Sequence, residues 1–132
     1  MSIEQFFKGL ADKTRLRILN LLLAGELCGC DLHYVIGSSQ PNISRHLGYL
    51  KRSGLVGDRR DGYRVFYRLA DRDNPNVALL AEYLRRSFQA DKGFERDLRK
   101  LKTAIRDGAC TVSEVPMQLI ARRTASVRAR RS

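Results

Sequence analysis

A chain of 132 residues is enough for one domain around one modest core, which argues against a two-domain enzyme. Lys and Arg number 25 against 14 Asp and Glu, so the net charge of +11 points to an anionic partner. The longest apolar stretches, such as Leu21–Ala24 and Val77–Ala81, fall far short of the ~20 residues a membrane span needs, so no membrane partner is expected.

The start of the chain carries Glu4 and shows no basic stretch, long apolar run and small-residue cleavage site in succession, so a cytoplasmic location is expected. Ile3, Phe6, Phe7 and Leu10 recur at three- and four-residue intervals, predicting a short amphipathic helix whose apolar stripe must be covered. Asp12 is a suitable cap for a second helix carrying Leu16, Leu19, Leu22 and Leu23 and stopped by Gly25. Leu32, Val35 and Ile36 define a short third helix ending at Gly37. Ser38-Ser39 then caps a fourth helix that has Pro41 in its first turn, Ile43, Leu47 and Leu50 inward, and Gly54 as its stop. Two short helices joined by a tight turn are a helix-turn-helix signature.

After Gly54 the period changes from about 3.6 to 2. Leu55–Arg60 and Tyr63–Leu69 flank Asp61-Gly62, a strong signal for a two-residue hairpin. Asn74-Pro75 breaks the chain again. Val77, Leu80, Ala81, Leu84 and Phe88 begin a long helix that Phe94, Leu98, Leu101 and Ile105 continue to Gly108, with Gly93 as a point where it could kink or divide. From Ala109 the periodicity fades, and five arginines fall in the last eleven residues. The expected organisation is therefore a mainly α domain with a small β-hairpin over residues 1–108 and a basic, flexible tail over 109–132.

With Ile43, Leu47 and Leu50 inward, within about 60° of one another on an ideal helix, Pro41, Ser44, Arg45, Gly48 and Arg52 face outward. Arg45 can fork onto guanine or phosphate, Gln40 and Asn42 can read adenine, and Ser44 can meet either. Gly48 allows a close backbone approach. Arg59, Arg60, Arg64 and Arg68 extend the positive charge onto the hairpin, where Arg60 and Arg64 are expected to meet phosphates. His46 lies beside the apolar stripe, where it can cap a core contact or donate to a phosphate; the phosphate is the favoured expectation. Each such residue taken singly is more often part of a solvated helix face. Their combination with the helix-turn-helix spacing and a basic hairpin favours double-stranded DNA.

The run Ser39-Gln40-Pro41-Asn42-Ile43-Ser44-Arg45-His46-Leu47, followed by Leu50 and Gly54-Leu55-Val56, resembles the recognition-helix region of the ArsR/SmtB repressors. The resemblance spans roughly Phe6 to Phe88. It implies a winged helix-turn-helix fold and a homodimer in which the stripes Ile3/Phe6/Phe7/Leu10 and Val77/Leu80/Leu84/Phe88 pack on the partner. Two half-sites one helical turn apart, ~34–36 Å, would follow from such a dimer.

Three cysteines, an odd number, argue for free thiols or metal ligands rather than a disulfide framework. Glu26-Leu27-Cys28-Gly29-Cys30-Asp31-Leu32 resembles the ELCxCDL motif of the arsenic-responsive branch, with His33 where that branch often has a third cysteine. Thiolates are the ligands that soft, thiophilic ions select. The implied function is a repressor that leaves its operator when As(III) or Sb(III) binds Cys28 and Cys30, with no organic cofactor. Cys110 is the candidate third sulfur of a trigonal site, and His33 its competitor, although imidazole suits zinc better than arsenic.

Side chains two apart on a helix point about 200° from each other, so a third helix starting at or before Cys28 would have to unwind for both thiols to hold one ion. Gly29 makes such unwinding cheap. The plainer alternative is that both cysteines are small apolar residues at a helix start. Sensing of cadmium, lead or zinc by the same architecture is the runner-up; no cysteine precedes Cys28 and no His follows His46, which counts against the arrangements those branches use. Thiol redox sensing through the same cysteines is a further alternative. An enzyme is disfavoured, because no CxxC or CxxxxxR cradle surrounds any cysteine and only two histidines are present.

Overall fold

Short polar caps determine where each helix begins in the computed structural model, which describes residues 2–107. Helix α1 (Ile3–Leu10) starts in a capping box in which the Ser2 hydroxyl accepts the Gln5 N–H and the Gln5 side chain accepts the Ser2 N–H. Asp12 caps α2 (Lys13–Leu23) by accepting the Arg15 N–H at 3.0 Å. Helix α3 (Gly29–Ile36) ends at Gly37, whose φ of 80° turns the chain toward α4 (Gln40–Arg52), capped by Ser39 with Pro41 in its first turn.

Three antiparallel strands follow the order β1-β3-β2, with β1 at Leu27–Cys28, β2 at Val56–Asp61 and β3 at Arg64–Leu69. Strand β1 was not legible: two residues ahead of α3 pair with Phe66 and Tyr67, nearly forty positions later. The hairpin also differs by one residue from expectation. Asp61 pairs with Arg64, so the connecting residues are Gly62 and Tyr63, with Gly62 at φ 63°. A 3-10 turn (Ala70–Arg72) leads into α5 (Pro75–Gln89) and α6 (Lys92–Arg106).

The single long last helix is thus two helices. The break lies at Ala90-Asp91, ahead of Gly93, where the Asp91 carboxylate accepts the N–H groups of Gly93 and Phe94 and starts a new helix. The chain folds back there, and the rings of Phe88 and Phe94 pack with centroids 4.1 Å apart.

The core gathers Ile18, Leu19, Leu21, Leu32, Val35, Ile43, Leu47, Leu50, Leu55 and Val77, joining α2, α3, α4 and α5. Helix α6 closes it over α2 and α3 with Phe94 and Leu101. Two polar contacts hold α6 in place: the buried Asn20 Nδ2 donates to the Phe94 carbonyl at 3.0 Å, and the partly exposed Arg17 Nε donates to the buried Asp97 at 2.7 Å. Val77, Leu84 and Phe88 are buried within this chain and Leu80 packs on the same core, so the α5 stripe expected to meet a partner is already covered. Phe6 and Leu10 likewise turn inward. The large apolar side chains left exposed on α1 and α5 are Ile3 (68%), Phe7 (59%), Leu79 (74%) and Tyr83 (67%).

Candidate nucleic-acid interface and thiolate pair

Burying Ile43, Leu47 and Leu50 turns the opposite side of α4 to solvent, where Gln40, Ser44 and Arg45 are exposed. Asn42 is half-buried; its amide donates to the Ser38 hydroxyl at 2.6 Å and its carbonyl oxygen accepts from Arg45. The two side chains therefore present a joined polar edge beside the cap of α4, with one guanidinium nitrogen engaged. The Arg52 guanidinium lies 3.3 Å from where a Cβ on Gly48 would stand, so that part of the helix is roofed by arginine.

His46 is turned toward α2 and its side chain is only 13% exposed. Its Nδ1 accepts from Arg15 Nη1 at 3.3 Å and lies 3.8 Å from the Asp12 carboxylate. Burial holds the imidazole below its ordinary pKa against the opposing pull of Asp12. Arg15, which the helical pattern alone did not mark, joins three elements. It donates to the carbonyls of Gly9 and Lys8 at 2.9 Å each, capping the end of α1, and stacks 4.2 Å over the Tyr49 ring of α4. Its only sequence signal was a cation in the first turn after Asp12.

The hairpin arginines divide. Arg59 forks onto Glu26, with N–O distances of 2.7–3.0 Å, and lies 4.6 Å over Phe66; Arg68 pairs with Asp73 at 3.0 Å. Both are engaged inside the molecule. Arg60 is exposed and Arg64 is half-buried. Because Arg60 pairs with Val65 and Arg64 with Asp61, the two side chains leave opposite faces of the ribbon. Arg60 shares its face with Asp58, which Lys51 of α4 holds at 2.9 Å, so Arg60 stands on the side toward the end of α4.

Cys28 and Cys30 meet at the start of α3. Cys28 is not inside the helix: it is the N-cap, with extended backbone, and its sulfur accepts the Cys30 N–H at 3.4 Å. The Cys28 N–H donates to Asp31 Oδ2 at 3.1 Å, completing a capping box with a thiol in the place of a hydroxyl. Cys30 Sγ lies 3.0 Å from Cys28 Sγ. The thiols therefore converge without unwinding, and Gly29 is not among the glycines with positive φ. Burial pushes the Cys28 thiol up to about 11, with the Cys30 contact adding to the shift. Among the described residues no cluster of three or more His, Cys, Asp or Glu forms around them. His33 Nδ1 instead meets the Ser38 carbonyl in the turn before α4. Cys110 lies outside the described residues, as does the arginine-rich tail.

Residues 12–57 match the bacterial regulatory protein family arsR. The chain is 40% identical over 111 residues to the arsenic resistance transcriptional regulator ArsR2 of Pseudomonas putida, covering 79% of this chain and 93% of that one. It is 57% identical over 67 residues to the arsenical resistance operon repressor of Escherichia coli, where the match covers 50% of this chain and 57% of the relative. Among solved structures, HlyU from Vibrio cholerae shares 35% identity at a TM-score of 0.59, covering 64% of this chain and 89% of that one. The homodimeric winged helix-turn-helix domain of Mb0332 from Mycobacterium bovis shares 32% identity at a TM-score of 0.58, covering 67% and 80%.

Proposed function

The chain belongs to the ArsR family of bacterial regulatory proteins, and on that premise we propose that it is an operator-binding repressor, active as a homodimer, that trivalent arsenic or antimony releases from DNA. The observation that carries the reading is the pair of sulfurs 3.0 Å apart at the cap of α3, the first helix of the helix-turn-helix. On this reading Gln40, Asn42, Ser44 and Arg45 read base edges, and Arg60 and Arg64 meet phosphate. His46 acts indirectly, by seating α4 against Arg15 and Asp12. The exposed Ile3, Phe7, Leu79 and Tyr83 supply apolar surface for the second subunit.

The cap supplies the coupling. The Cys28 sulfur that would hold the inducer is the acceptor that satisfies the Cys30 N–H, and Asp31 completes the same cap. Drawing both thiolates onto one soft ion withdraws a lone pair from that contact and repositions the first turn of α3 against α4. A ligand releases DNA in this way only if the thiolates bind it more strongly in the released conformation.

The raised Cys28 thiol also bears on which inducer fits. Arsenous acid exchanges hydroxide for sulfur, and each thiol proton departs with that hydroxide as water. A divalent cation must instead drive the thiol protons into solvent, which a pKa of about 11 opposes. Cys110 completes the proposed ligand set as a third sulfur.

X-ray absorption on the arsenite-loaded protein tests the ligand set. Three sulfur neighbours are expected in the wild type and two in Cys110→Ser. A sulfur count unchanged by Cys28→Ser or Cys30→Ser would overturn the site.

A further inference from the structure

We propose that the outward face of α6 is a second DNA-contacting surface, which holds the phosphate backbone flanking the bases read by α4. The inference rests on the operator-binding reading above and extends it to a helix that the recognition motif does not include. Burying Phe94, Asp97, Leu101 and Ala104 leaves Lys92, Arg96, Arg99, Lys100 and Arg106 on the exposed side. The acidic side chains exposed on or just after this helix are Glu95 and Asp107, the latter 3.9 Å from Arg106. The remaining acid, Asp97, is buried and neutralised by Arg17. The helix thus presents a cationic ridge about 21 Å long at 1.5 Å per residue, the length of about six base-pair steps.

Its position favours duplex DNA over other polyanions. Arg17 donates to both Asp97 oxygens, at 2.7 and 3.0 Å, while its Nη2 also reaches the carbonyl of Ile36 at 3.4 Å. Ile36 is the last residue of α3, immediately before the turn that leads to α4. Lys100 Nζ stands 5.6 Å over the ring of Tyr34, a half-exposed residue of α3. One flank of the ridge is therefore held against the first helix of the helix-turn-helix, the element that crosses the DNA backbone when the second helix enters the major groove. A row of cations beside that helix meets phosphates outside the bases being read and contributes affinity without sequence information.

The test compares two full-length double variants with the same change of charge. Arg96→Gln/Arg99→Gln alters the ridge; Arg72→Gln/Arg86→Gln alters exposed arginines of the 3-10 turn and α5. Two probes are used: the shortest duplex that the wild type retains from a random pool, and the same duplex extended by about ten base pairs at each end. The wild type and the Arg72/Arg86 control should gain affinity from the extension, and the Arg96/Arg99 variant should not. With two arginines in each of two subunits, the slope of log K against log salt on the extended duplex should fall by up to about 3.6, at about 0.9 per phosphate contact. Equal slopes for the ridge variant and the control, or a wild type indifferent to the extension, would overturn the α6 surface while leaving the operator-binding reading intact. A wild type that retains no duplex overturns both.

Discussion

Cys28 uses one sulfur for two purposes, accepting the Cys30 N–H as the cap of α3 and facing Cys30 Sγ at 3.0 Å. Its burial sets a direction for pH effects. The folded chain keeps the thiol proton up to about pH 11, whereas an exposed thiol loses it near 9.0, so the unfolded state holds fewer protons between those values. Stability should therefore fall as pH rises from about 9 to 11, and thermal melts of Cys28→Ser should lack that component; an identical alkaline loss in the variant would refute this origin. His46 runs the opposite way. Burial lowers its pKa, so below the ordinary value of 6.5 the unfolded chain takes up a proton that the folded imidazole refuses, and stability should drop as pH falls below 6.5. His46→Gln should flatten that decline in chemical denaturation at successive pH values. The cysteine pair was legible from its motif and the thiophilic chemistry of sulfur. The role of Cys28 as an N-cap was not, because a thiol in place of a Ser or Asp hydroxyl or carboxylate is no ordinary capping signal.

Helix boundaries were largely readable from short-range chemistry, since Asp12, Ser39, Gly37 and Gly54 act on neighbours within one turn. What escaped depends on partners far along the chain. Strand β1 exists by pairing with β3, and the Arg59 guanidinium is engaged by Glu26, 33 positions earlier. The last helix can divide at Gly93 on sequence grounds, but the break falls earlier, at Ala90-Asp91, because the capping carboxylate of Asp91 outweighs the apolar period that continues through it. Asp91→Ala should cost about 0.5–2 kcal/mol in unfolding free energy by the usual worth of such a cap. Helix α1 supplies a second test at this scale. A Cβ on Gly9 would stand 2.7 Å from Leu55 Cδ1 and 3.0 Å from Ser53 Cβ, so α1 lies directly on the junction between α4 and β2. Gly9→Ala should destabilise by about 1–3 kcal/mol through overpacking, despite alanine's better helix propensity; a stabilised variant would show that α1 is not seated there.

Across the whole molecule, the proposed function joins the exposed apolar residues and the cysteine pair in one sequence of events: two subunits would associate, two α4 helices would reach successive major grooves, and thiolate ligation at α3 would disturb that placement. Of the α5 stripe expected to meet a partner, folding buries Val77, Leu84 and Phe88 within the chain and leaves Leu79 and Tyr83 outside it. Leu79→Lys should shift the protein toward monomer in sedimentation velocity and weaken operator binding in parallel, whereas an unchanged dimer would place the interface elsewhere. Coupling between inducer and operator is most directly tested by fluorescence anisotropy on a labelled operator duplex titrated with arsenite. Cys28→Ser and Cys30→Ser should bind the duplex about as tightly as the wild type and remain bound at arsenite concentrations that release it. Release of either variant at the wild-type concentration would contradict the account.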